Sequence, residues 1–127
     1  GAAWLRRLRR DNSPVYSGFY RSASLPGQPQ PHVAVAFPLE LGNIHVFLAP
    51  RAEADGTLTL TSRSRRFGED GAYVSVRFGD QWYSAQPPLR ESFRVYVDEE
   101  GVLRTDHELK VGRFRALRLH YRLEHQA

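Results

Sequence analysis

Residues 90–123 read RESFRVYVDEEGVLRTDHELKVGRFRALRLHYRL, and apolar and polar side chains alternate through most of this stretch. A period of two is the signature of half-buried strands. Three runs follow from it: Arg90 to Asp98, Val102 to Val111 and Arg115 to Leu123. Gly101 ends the first turn, where a left-handed residue makes a bulge. Burial fixes register, because a one-residue slip turns every side chain to the wrong face. Pairing Val97 with Leu103 sets Val95 against Thr105 and Phe93 against His107 on one face, and Arg94 against Asp106 on the other. Pairing Leu109 with Leu117 across a three-residue loop sets His107 against Leu119 and Thr105 against Tyr121. It also sets Glu108 against Arg118 and Asp106 against His120. Apolar meets apolar and opposite charges face each other, at roughly 0.2–1 kcal/mol per pair. Arg104 opposite Arg122 is the one conflict, and a two-residue shift of the last hairpin keeps the same faces.

The alternation extends upstream. Val15 to Arg21, His32 to Leu39, Asn43 to Ala49 and Thr57 to Ser62 read as strands, with Asp55-Gly56 as a turn. Ala72 to Phe78 and Gln81 to Ala85 flank Gly79-Asp80, a hairpin turn with glycine first. Residues 2–10 read instead as a short helix, with Trp4, Leu5 and Leu8 on one side, ended by Asp11-Asn12-Ser13-Pro14. The expected fold is mainly β: an antiparallel meander of about 8–9 strands. It curls into an up-and-down, calycin-like barrel or a strongly curved sheet, because an open sheet leaves edges exposed. A short N-terminal helix completes it. Residues 1–127 make one domain, with a basic helix or tail over 1–13 and the meander over 14–125.

Composition narrows the chemistry. The chain has no cysteine, which excludes disulfides, thiolate catalysis and Cys-ligated metal. No apolar run approaches the roughly 20 residues of a membrane helix, and no leader is visible, so a soluble cytoplasmic protein is expected. There are 17 arginines and one lysine, and the net charge is +4. That charge is local: Arg6, Arg7, Arg9 and Arg10 supply it, while residues 11–127 carry 14 basic and 14 acidic groups. A neutral body argues against nucleic acid as a partner. The tail, with Trp4, Leu5 and Leu8 among its arginines, is a small amphipathic anchor for an acidic partner or an anionic membrane surface.

Few motifs carry chemistry. Asp106-His107-Glu108 resembles a metal cluster as text, but on a strand His107 points away from its neighbours. No metal and no cofactor is expected. No nucleophile elbow and no phosphate-binding glycine loop occurs, so no enzymatic activity is assigned. Arg63, Arg65 and Arg66 form a candidate anion site, partly neutralised by Glu69 and Asp70. The register gathers Thr105, His107 and Tyr121 on an apolar wall beside Phe93, a candidate site for a small ligand.

Gly18-Phe19-Tyr20 near the start of the first strand, with Arg122 on the last, resembles the pattern of the calycins, the lipocalins and their relatives. In those proteins a Gly-x-Trp meets an arginine from the final strand; here no tryptophan follows Gly18 at that spacing. The resemblance implies a closed barrel holding an apolar small molecule in its mouth. The hairpin meander, with a few polar groups on an otherwise apolar face, gives the expected function: a non-enzymatic binder of an apolar or amphipathic small molecule or a lipid. The alternative is an interaction module that uses its arginine-rich N-terminal segment on an acidic partner, an anionic membrane or nucleic acid. A monomer is expected if the first and last strands pair, and a dimer if they do not.

Overall fold

The computed structural model describes residues 1–14 and 18–125. Its strands are β1 (Ala2–Trp4), β2 (Gly18–Ala23), β3 (His32–Leu39), β4 (Gly42–Ala52) and β5 (Leu58–Thr61). They continue with β6 (Gly71–Phe78), β7 (Gln81–Ala85), β8 (Leu89–Val97), β9 (Leu103–Val111) and β10 (Phe114–Arg122). Every pairing is antiparallel, and the main path runs β1-β2-β3-β4-β5-β8-β9-β10 in a curled half-barrel. Among the described residues no helix is long and apolar enough to cross a membrane.

The path departs from a simple meander at β4. One edge of this long strand pairs with β3 from Gly42 to Leu48. The other edge is shared: Gly42 to Phe47 pair with β6, and Ala49 to Ala52 pair with β5. The sheet therefore forks, and the β6–β7 hairpin lies on one branch while β5-β8-β9-β10 forms the other wing. Gly42 makes close docking possible, since a Cβ there would sit 1.9 Å from the Ser75 carbonyl oxygen. The core forms where the branches meet, from Tyr20, Val35, Val46, Leu48, Leu60, Ala72 and Phe93.

The register of the last three strands is the one read from the alternation. Phe93 stands opposite His107, Val95 opposite Thr105 and Val97 opposite Leu103. Leu119 stands opposite His107 and Tyr121 opposite Thr105. The last turn is tighter than the three-residue loop expected, since Val111 pairs with Phe114 and the slack is taken up as an irregularity between Arg115 and Leu117.

The N-terminal helix is absent. Residues 2–4 form β1 instead, with Trp4 opposite Gly18. A helix this short is marginal in water. Pairing with β2 satisfies the backbone of both strands and stacks Trp4 on Tyr20 with ring centroids 4.5 Å apart. The chain then turns through Asn12, at φ 56°, and Arg7 bridges Pro14. Asparagine tolerates this left-handed conformation better than most residues. The first expected strand, Val15 to Arg21, appears as β2 from Gly18; residues 15–17, with Tyr16, lie outside the described residues.

β1 and β10 stand at opposite ends of the path, and no ladder joins them. Side chains close the gap. Arg6 is buried, and its Cζ lies 5.8 Å from the Trp4 and Tyr20 ring centroids and 5.5 Å from that of Tyr121. Its guanidinium also donates to the Tyr20 hydroxyl. The cation over Tyr20 is thus Arg6, whereas Arg122 of the calycin-like pattern reaches Glu124 at 3.0 Å on the exposed side.

Candidate functional site

The inner face of β8, β9 and β10 carries the first candidate site. Alternation sends Phe93, Thr105, His107 and Tyr121 to this face, and the register brings them together. The His107 ring stacks on Phe93 at 4.0 Å and 10°. On its other side it faces Tyr121 at 6.2 Å and 25°, with Nδ1 3.4 Å from the Tyr121 hydroxyl. His107 and Thr105 are both fully buried.

Glu91 joins them, and the reading of the residue types missed it. It lies on the inner face two residues before Phe93, in phase with it, so the alternation itself carried the signal. Its side chain is 7% exposed, and Oε1 lies 3.7 Å from His107 Nε2, too long for a hydrogen bond. Ser62 sews the end of β5 to this position: its Oγ accepts the Glu91 amide at 2.8 Å, and its own amide reaches the Glu91 carbonyl at 3.0 Å.

Three buried atoms on this wall have no hydrogen-bond partner among the described residues: Glu91 Oε2, Thr105 Oγ1 and His107 Nε2. A buried polar group left unsatisfied costs roughly 1–3 kcal/mol. The set offers an acceptor, a hydroxyl and an imidazole nitrogen beside an aromatic surface, which suits orientation of one polar group of a ligand.

The outer face of the same strands is different. It carries charges of both signs. An open groove of about 560 Å³ runs across it, lined on the basic side by Arg51, Arg63, Arg94, Arg115 and Arg118. Glu53, Asp106 and Glu108 line it too, with Thr59, Thr61 and Ser92, and it reaches Phe93 and His107 of the inner wall. Asp106 pairs with His120 at 2.7 Å, as the register implied, while Arg94 turns to Asp55 at 3.4 Å. Glu108 binds Lys110 and Arg115, each at 2.9 Å. The Lys110 ammonium, helped by the nearby Arg115 and Arg118, holds the Glu108 carboxyl below its ordinary pKa against the opposing effect of desolvation.

Arg63, Arg65 and Arg66 are not brought together as one site. Arg63 lines the groove, whereas exposed Arg66 leans toward Glu69 at 3.9 Å. Asp70 folds the connection by accepting the Arg63 and Ser64 amides at 2.6 and 3.1 Å. Of the N-terminal arginines, Arg6 is buried in the core closure, and Arg7, Arg9 and Arg10 remain exposed. Comparison of the chain with protein-family models, curated proteins and solved structures finds no match.

Proposed function

We propose that this half-barrel is a non-enzymatic binder of an amphipathic small molecule. The ligand's polar end meets Glu91, Thr105 and His107, and its apolar part lies along Phe93 and the adjoining core wall. The observation that supports this reading is the convergence of three buried, unpartnered polar atoms on one apolar wall. Ligand entry requires the Arg6 closure to open, since Arg6 spans Trp4, Tyr20 and Tyr121. Thermal-shift screening of amphipathic metabolites and lipids tests it, because a ligand that binds only the native state stabilises it by about 2.7 kcal/mol at a hundredfold excess over Kd. A hit is expected to lose its shift in Thr105→Val and His107→Leu. A hit that stabilises those variants as well as the parent protein contradicts the placement, and a screen with no hit contradicts the function.

A second reading rests on the exposed N-terminal loop. Leu5 is 74% exposed beside exposed Arg7, Arg9 and Arg10, a combination suited to an acidic partner or an anionic surface. The triple change of Arg7, Arg9 and Arg10 to glutamine leaves Trp4 and Arg6 in place. Salt-sensitive binding to phosphatidylserine vesicles that disappears in this variant supports the reading, and binding that persists contradicts it.

A further inference from the structure

We propose that the outer groove of the β5-β8-β9-β10 wing binds a small phosphate monoester that also carries hydroxyl groups. The donors of this site are outward residues, although the groove also touches Phe93 and His107 of the inner wall; the proposal does not depend on the reading above.

The cross-strand register builds the case. Thr61 stands opposite Ser92, Ser92 opposite Glu108 and Glu108 opposite Arg118, so one outward row runs hydroxyl, hydroxyl, carboxylate, guanidinium. The next row places Arg90 opposite Lys110 and Lys110 opposite Arg115. Like charges directly opposite one another are unfavourable in a sheet. Within the row, Lys110 and Arg115 share the single carboxylate of Glu108.

Two guanidinium groups can receive the phosphate, Arg63 and Arg118, the second of which stands opposite Glu108 and acts on it through space. Arg63 and Arg118 line the groove, and their guanidinium groups have no ion pair among the described residues. Thr61 and Ser92 line the same groove, and neither hydroxyl makes a side-chain hydrogen bond among the described residues. Guanidinium and hydroxyl donors around one space match the tetrahedral oxygens of a phosphate.

The rest of the groove sets the ligand class. Asp106 and Glu53 are acceptors, which suit the hydroxyl groups of a ligand and repel further phosphates. The volume, about 560 Å³, suits a small molecule. A compact ligand with one phosphate and several hydroxyls fits both ends, and a polyanion fits only one.

Titration of the full chain at low ionic strength, followed by amide NMR, tests this. The probes are ribose 5-phosphate, ribose, inorganic phosphate and a single-stranded RNA oligonucleotide. Ribose 5-phosphate is expected to bind more tightly than inorganic phosphate and to move the amides of Thr61, Arg63, Ser92 and Arg118. Ribose alone is expected to move none. Arg63→Gln and Arg118→Gln are exposed changes that leave the melting temperature in place, and each is expected to weaken ribose 5-phosphate about tenfold. Thr105→Val, on the opposite face, is expected to leave this binding unchanged, so the two sites fail or succeed separately. Binding that survives both arginine changes, absence of binding, or tighter binding of the oligonucleotide overturns the proposal.

Discussion

His107 shows how much one alternating position decides. Phe93 stacks on one side of its ring, Tyr121 lies on the other, and Glu91 approaches Nε2 without bonding to it. Thr105, one pleat away, is fully buried with its hydroxyl unpartnered. Thr105→Val replaces that hydroxyl by a methyl of the same shape. It is expected to raise the unfolding free energy by about 1 kcal/mol in urea melts, because it removes an unmet desolvation cost. A loss of stability would show that the hydroxyl has a partner in solution. Arg6 is the converse case, a buried cation whose planar fork packs among Trp4, Tyr20 and Tyr121. Lysine keeps the charge and loses the stacking plane. Arg6→Lys is therefore expected to cost about 2 kcal/mol in the same measurement, and an unchanged midpoint would remove Arg6 from the closure.

At the scale of elements, the β8–β9 hairpin is held by its turn. Asp98 accepts the amides of Glu100 and Val102 at 3.0 and 2.8 Å, and the Arg104 Nε at 2.8 Å. Gly101 supplies the left-handed residue at φ 76°. The bond from Arg104, then that from the Val102 amide, holds the Asp98 carboxyl below its ordinary pKa. A depressed carboxylate contributes stability that is present above its unfolded pKa of about 3.9 and lost as pH falls through the lower folded value. Asp98→Ala is accordingly expected to lower the melting temperature at neutral pH. The difference from the parent protein is expected to shrink as pH falls through that window, and a constant gap would contradict the assignment. The fork at β4 has its own weak point. Gly42→Ala drives a Cβ into the Ser75 carbonyl. It is expected to cost about 3 kcal/mol and to expose β6–β7 amides to hydrogen exchange before those of β8–β10; uniform exchange would contradict a separately docked hairpin.

Over the whole molecule, the free edges differ in how they are protected. β1 is only three residues long. β10 carries an irregularity and outward Arg115, Arg118, His120 and Arg122. β7 has neither defence: Gln81 to Ala85 is uncharged and exposed throughout, with Trp82 and Tyr83 on opposite sides. Phe78 and Leu41, 76% and 66% exposed, extend the apolar surface nearby. Because β1 and β10 do not pair, the chain is expected to dimerise through an edge, and β7 is the edge that invites it. Light scattering is expected to show a dimer that Tyr83→Lys converts to a monomer. A monomeric parent protein at the same concentration contradicts this.

The sequence by itself determined which face of β8, β9 and β10 is buried. A one-residue slip there would expose Phe93, Val95 and Leu119 and bury Arg94 and Arg118, whereas a two-residue shift of the last hairpin kept the same faces, and the structure chose between the two. It also located the turns at Gly56, Gly79 and Gly101, where a left-handed φ is needed. Thr105, His107, Tyr121 and Phe93 were legible as one wall for the same reason, and Glu91 was in phase with them although its charge argued otherwise. The tertiary structure decided the rest. The Trp4, Leu5 and Leu8 pattern suits a helix, but the free edge of β2 offered hydrogen bonds that a nine-residue segment could not supply alone. The β6–β7 hairpin docks on β4, and β8 takes the place beside β5. Ladder hydrogen bonds are made by a backbone common to every strand. Alternation can therefore say which face of a strand is buried, but not which distant edge it meets. The basic groove is of the same kind. Arg63 and Arg118 lie far apart in a stretch, residues 11–127, whose charges cancel by count, and only the pairing of β5, β8, β9 and β10 places them on one surface.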